Sequence, residues 1–141
     1  MAVVRGFAAT VVFAGLVAGA TGPAWAETPT MSGGYTETST SPTGKTVSTD
    51  WTVSSCGEGC LWVKAGAGSG QARLVDGLWV MDTMNSLSCP DGSNVMYAAQ
   101  SHISWDPTSL EGTSQISYMV PACGHPAGFQ QTNQIKLKAA S

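Results

Sequence analysis

The sequence predicts an all-β protein of about eight antiparallel strands in a meander, either closed into a small barrel or folded as a sandwich, with two disulfides. Three observations carry this prediction. Apolar and polar residues alternate with a period of two from Gly33 onward, short turn signals separate the alternating segments, and four cysteines follow residue 50. One-sided alternation favours antiparallel over parallel pairing.

The first 26 residues are predicted to be a signal peptide. Arg5 is their only charged residue, an apolar run spans residues 6–20, and Ala24 and Ala26 provide the small-x-small pattern that precedes cleavage. The run is shorter than the ~20 residues that a membrane-spanning helix needs. We therefore expect cleavage after Ala26, export to the cell envelope or the medium, and no transmembrane anchor.

The rest of the chain is predicted to contain a short flexible lead-in, residues 27–32, and a single domain, residues 33–141. Its most regular segment is 46–55, where Val47, Thr49, Trp51 and Val53 share one face. The segment 94–105 also alternates, as one long strand or as two. The other predicted strands are Gly34–Ser39, Leu61–Ala65, Gln71–Val75, Leu78–Asp82, Ser114–Met119 and Asn133–Lys138.

Turn signals lie between these segments. Asp76-Gly77 is flanked by apolar alternation and is a strong hairpin signal. Further turns are expected in the ranges 41–44, 66–70, 90–92 and 106–112, where Pro, Gly, Asp and Ser are frequent.

The four cysteines are expected to form two disulfides, because their number is even and the predicted compartment is oxidising. Three connectivities are possible. We favour Cys56–Cys60 with Cys89–Cys123, since Gly57 and Gly59 permit the tight turn that the first bridge requires. Loop entropy would make the short bridge worth about 2 kcal/mol and the long one about 4 kcal/mol.

The tryptophans provide the candidate binding residues. Trp51 and Trp105 are in phase with apolar neighbours and are expected in the core. Trp62 and Trp79 each lie between two apolar residues and would face outward in a one-sided sheet. They are therefore the candidate ligand- or partner-binding residues, although they would instead be structural if they covered an end of the sheet or packed under a loop.

Support for catalysis or for a metal site is weak. No Gly-x-Ser-x-Gly motif is present, and His102 and His125 lack the paired spacing of structural zinc ligands. His102 is expected on the solvent face of a strand and His125 in a loop. A small hydrolase would use His102 with Asp106, but Asp106 is better explained as a turn cap. We predict no catalytic residues, no metal and no cofactor.

Several motifs together resemble a group of small exported proteins of mycobacteria and related actinobacteria. The motifs are Gly34-Tyr35, the segment from Trp51 to Cys60 that ends in Cys-Gly-x-Gly-Cys, Gly77-Leu78-Trp79, Trp105-Asp106-Pro107 and Cys123-Gly124. They are also similar to the extracytoplasmic tail of some mycobacterial serine/threonine protein kinases. Since the molecular function of the group is unknown, the resemblance implies export and paired cysteines.

The sequence thus favours a secreted, monomeric, non-enzymatic β module that binds a small apolar ligand, a glycan or an envelope protein. Either a barrel mouth or the surface of Trp62 and Trp79 would form the site, because apolar concavities with few polar groups suit such ligands. Nine acidic and five basic side chains follow the predicted signal peptide, which argues against a nucleic-acid partner. One alternative is a secreted inhibitor or interaction protein that presents the predicted loop 83–93 to a partner. A small secreted hydrolase is the other.

Overall fold

The computed structural model describes residues 28–66 and 68–140, so the predicted signal peptide lies outside the described residues. The described chain forms eight strands that close into one antiparallel barrel in the order β1 to β8. The strands are β1 Gly33–Thr40, β2 Thr46–Gly57, β3 Cys60–Ala65, β4 Gly68–Val75, β5 Leu78–Ser88, β6 Asn94–Trp105, β7 Glu111–Tyr118 and β8 Gln130–Ala139.

The predicted all-β meander with two disulfides is confirmed, and the barrel is the correct form. Each strand pairs with the next in sequence, and β1 also pairs with β8, with Glu37 opposite Leu137. The disulfides are Cys56–Cys60 and Cys89–Cys123, as favoured. The Asp76-Gly77 hairpin is also present, with positive φ at both residues (51° and 83°), as a two-residue turn of the favoured type requires.

Strand β5 is longer than predicted, whereas residues 94–105 form one long strand, which is one of the two forms predicted for them. β5 continues from Asp82 to Ser88, so most of the predicted loop 83–93 is strand. Strand β6 contains a bulge, because its register against β5 shifts between Asn85 and Leu87. Tyr97 lies at this bulge with a φ of 52° and is exposed, although alternation predicts that it shares a face with Ile103 and Trp105.

The apolar core fills one half of the barrel interior. Trp79 and Trp105 are fully buried in it, and Trp51 meets Trp105 edge to face, with 5.3 Å between the ring centroids. Buried aliphatic side chains surround them, among them Val53, Leu61, Val63, Ile135 and Leu137. The β2–β3, β4–β5 and β6–β7 turns lie at the end of this filled half, which we call the closed end.

Met31 packs against the core at the closed end, within the segment predicted to be a flexible lead-in. Its side chain is buried, and the Nε1–H of Trp105 donates to its sulfur at 3.3 Å. The residues before β1 therefore contribute to the core. The amphipathic alternation that identifies strands carries no information about a single residue that packs beneath a barrel.

Close packing of β6 and β7 depends on Gly112, which lies opposite Trp105. A Cβ atom at this position would approach the Ser104 carbonyl oxygen to 1.8 Å and the Trp105 Cα to 2.6 Å. Because both are backbone atoms, a side chain cannot be accommodated by a rotamer change.

We predict that Gly112→Ala destabilises the protein by more than about 3 kcal/mol, because the two strands must separate where β6 supplies Trp105 to the core. Urea unfolding followed by far-UV circular dichroism measures the loss. The adjacent substitution Thr113→Ala is the control and should cost less than about 1 kcal/mol. Equal stability of the two variants would contradict the prediction.

Candidate cavity in the open half of the barrel

The other half of the barrel contains a cavity of about 630 Å³. Its lining includes Ser41 and Lys45 in the β1–β2 turn, Ser88 at the end of β5 and Tyr118 at the end of β7. These residues lie at the end of the barrel opposite the closed end, which we call the open end. The volume falls within the roughly 300–1,000 Å³ typical of small-molecule sites.

The floor of the cavity is apolar. It consists of Trp51, Val63, Met81 and Ile103, all of which also belong to the core. The cavity is thus bounded on one side by the core itself. A ligand in it would contact an indole ring and aliphatic groups.

The walls above the floor are mostly polar. On β5 and β6, the Nδ2 of Asn85 donates to the Ser101 hydroxyl, and the Thr83 hydroxyl donates to the Asn85 Oδ1 at 3.4 Å. These three side chains face the cavity and form the first polar cluster.

A second polar cluster lies on β8 and β1. The Nε2 of Gln131 donates to the Asn133 Oδ1 at 2.8 Å, and the Nδ2 of Asn133 donates to the Ser39 hydroxyl at 3.1 Å. Strand β7 separates the two clusters on one side, and β2 to β4 separate them on the other. Hydroxyl and amide groups therefore face the cavity from different walls, already held in place by one another.

Among the described side chains that line the cavity, Glu37 is the one carboxylate. It lies on β1 between Thr49 of β2 and Leu137 of β8, at the boundary between the core and the polar walls. Its side chain is only 8% exposed, and burial raises the pKa of its carboxyl above the ordinary value. Among the described residues no side chain forms a hydrogen bond or an ion pair with Glu37. The two ion pairs of the described residues are His102–Asp82 and Lys136–Glu111.

The open end is cross-linked by the Cys89–Cys123 disulfide. This bond joins the turn after β5 to the long connection between β7 and β8. In that connection His125 lies in a loop, as predicted, and stacks on Phe129 with 3.8 Å between the ring centroids. The disulfide thus links the β5–β6 turn covalently to the β7–β8 connection at the open end.

The predicted exposed surface of Trp62 and Trp79 is not formed. Trp62 is half exposed on the outside of β3, but Trp79 is fully buried, so its predicted outward orientation is wrong. Residues 78–81 are all apolar, and such a run does not show which residues face inward. The pairing of Trp79 with Leu74 and Trp105 determines its inward orientation.

His102 and Asp106, the pair that the hydrolase alternative would use, have different hydrogen-bond partners. Nδ1 of His102 lies 2.8 Å from an Asp82 carboxylate oxygen, on the exposed outer surface. Asp106 instead accepts hydrogen bonds from the backbone N–H groups of Thr108 and Ser109, which confirms that it caps a turn. These bonds lower the pKa of the Asp106 carboxyl.

Within residues 28–66 and 68–140, no cluster of three or more His, Cys, Asp or Glu side chains is arranged to hold a metal ion. The same residues include no helix of the length and apolarity needed to cross a membrane. The two disulfides are typical of an oxidising extracellular compartment.

No family model, curated protein or solved structure was found to match this chain significantly. The resemblance to actinobacterial exported proteins therefore stays a prediction.

We predict that Trp79→Ala lowers the free energy of unfolding by about 3–5 kcal/mol, because it empties the centre of the core. Trp62→Ala, on the outer surface of β3, should change it by less than about 1 kcal/mol. Urea unfolding of both variants measures the difference. A loss in Trp62→Ala as large as that in Trp79→Ala would show that the exposed indole also supports the fold.

We predict a pH-dependent effect of Glu37→Gln on stability. Because the folded-state pKa is raised, the folded state binds this proton more tightly, and the resulting stabilisation is lost as the pH rises through that pKa. Relative to wild type, the variant should therefore gain stability near pH 7 but not near pH 4.

Urea unfolding at both pH values measures this effect. Glu111→Gln is the matched control, because Glu111 is exposed and lies 3.5 Å from the Lys136 amino group. It should gain no stability at neutral pH. A Glu37→Gln variant that is no more stable than wild type at neutral pH would contradict the prediction.

Proposed function

We propose that this protein is an exported, non-enzymatic binding protein whose site is the cavity in the open half of the barrel. The observation that carries the proposal is the composition of the cavity: about 630 Å³, with an apolar floor and mostly polar walls on which two clusters of side chains are oriented by hydrogen bonds. Binding sites for small molecules typically combine apolar surface with placed polar groups.

The separation of core and cavity supports this proposal. An eight-stranded barrel is just wide enough for side chains to fill its interior. Here three tryptophans fill the closed end, whereas Ser39, Thr49 and Ser101 leave room in the open half. A cavity beside a complete core costs stability, and a bound ligand would offset that cost by occupying it.

Export is part of the same proposal. The predicted signal peptide with cleavage after Ala26, the resemblance to exported actinobacterial proteins and the two disulfides all support it. We propose that the mature chain acts as a monomer in the cell envelope or the medium. Its ligand is a small molecule that enters the cavity rather than a partner that contacts Trp62 on the outer surface.

The test blocks the cavity with a side chain that leaves the core intact. Thr49 is half-buried on the cavity wall and forms no side-chain hydrogen bond within the described residues, so Thr49→Phe would project a ring into the cavity. Ser48→Phe is the matched control, since Ser48 is exposed on the outer face of the same strand.

The probe is the neutral apolar fluorophore N-phenyl-1-naphthylamine, titrated into the protein in a Trp62→Phe background so that energy transfer reports on buried tryptophan. We expect saturable binding of one probe per chain, weakened at least tenfold by Thr49→Phe, about 1.4 kcal/mol, and changed less than twofold by Ser48→Phe. Absence of saturable binding, or equal weakening by both variants, would overturn the proposed site.

A further inference from the structure

We propose that the ligand of the cavity is an amphiphilic organic cation whose protonated amine pairs with Glu37. This inference rests on the proposed function, and it assigns the chemical class of the ligand. Its starting point is a carboxylate that is more than nine-tenths buried, faces the cavity and has no partner among the described side chains.

A buried carboxylate normally pairs with a cation or becomes protonated, because removing its charge from water is costly. The side chains that flank Glu37 on the neighbouring strands cannot supply a cation. None of them is basic: they are Val47, Thr49 and Trp51 on β2 and Ile135, Leu137 and Ala139 on β8.

The other titratable side chains of the cavity are Lys45 and Tyr118, both at the open end. Lys45 lies in the exposed turn after β1 and forms no ion pair within the described chain. No described side chain thus pairs with Glu37, and a ligand that enters through the open end could supply the cation.

A lone carboxylate is a poor metal site, since hard cations take several oxygen ligands, often more than one of them a carboxylate. An ammonium group, in contrast, needs one negative partner and a few hydrogen-bond acceptors. Thr49, which carries a hydroxyl group, lies directly across from Glu37 on β2, and Trp51, two residues further along β2, is within diagonal reach. An indole face also attracts organic cations.

The rest of the cavity defines the remainder of the ligand. The apolar floor of Val63, Met81 and Ile103 lies beside Trp51 and suits a hydrocarbon or aryl group. An anionic amphiphile of the same shape would place a second negative charge near Glu37, which is unfavourable in a cavity of low polarity. The site therefore selects an amine over a carboxylate with the same apolar part.

Binding of an ammonium group stabilises the ionised form of Glu37, so amine binding and proton binding at Glu37 oppose each other. The affinity for an amine should rise with pH as Glu37 loses its proton and then stay constant. It should fall again only when the amine itself deprotonates, at about pH 10. A neutral alcohol lacks this coupling.

The experiment compares decylamine, decanol and sodium decanoate, which share one alkyl chain and differ in charge. Each is measured by displacement of N-phenyl-1-naphthylamine from the wild type at about pH 4 and about pH 7. At neutral pH we expect decylamine to bind at least tenfold more tightly than decanol, and decanoate to bind most weakly.

Glu37→Gln should remove the preference for decylamine while leaving decanol affinity within about twofold of wild type. Glu111→Gln is the matched control, because it removes a carboxylate from the outer surface and should change none of the three affinities. Circular dichroism is used to check that both variants are folded.

The outcomes separate the inference from the proposed function. If the three compounds displace the fluorophore equally and Glu37→Gln changes nothing, the cavity binds ligands but the amine preference is wrong. A preference for decanoate would overturn it as well. If the fluorophore and all three compounds fail to bind, both the inference and the proposed function are wrong.

Discussion

The width of the closed barrel is the constraint on which the rest of the structure depends. The pairing of β1 with β8 leaves eight strands around one interior, and such an interior is just wide enough for side chains to fill. The sizes of the inward side chains therefore determine which part of the barrel interior is filled. At the closed end Trp79 and Trp105 occupy the centre, whereas in the open half inward positions hold Ser39, Thr49 and Ser101. Core and cavity are thus two consequences of one arrangement of strands.

Glu37 lies where these two halves meet, and its position would link stability to the proposed binding. Next to it on β8 is Leu137, a core residue, and on its other side the cavity begins. A carboxylate at this boundary loses part of its hydration without gaining a partner among the described side chains, which opposes folding at neutral pH. An unfavourable group is commonly retained where a protein binds something, because the bound partner supplies the missing interaction.

Most of the architecture could be predicted from the sequence because it depends on local signals. Period-two alternation located the strands, Asp76-Gly77 fixed one hairpin, and the glycines between Cys56 and Cys60 favoured the correct disulfide pairing. The orientation of Trp79 could not be predicted, since the apolar run 78–81 has no alternation and only the register with neighbouring strands determines it. The residues that line the cavity could not be predicted for a related reason. Polar residues such as Thr83 and Asn85 are typical of a solvent face or a loop, and only barrel closure turns them inward.

The one usable signal for the cavity was continuity of phase. On β2 the inward series that begins with Val53 and Trp51 continues through Thr49, and on β5 the series of Trp79 and Met81 continues through Thr83 to Asn85. In both strands polar side chains follow the core residues on the same face toward the open end, and the next inward residues, Val47 on β2 and Leu87 on β5, are again apolar. A one-sided sheet has no reason for polar side chains at such positions, because one face stays buried along its length. A barrel with a filled half and a hollow half accommodates them, since the same face passes from core to cavity.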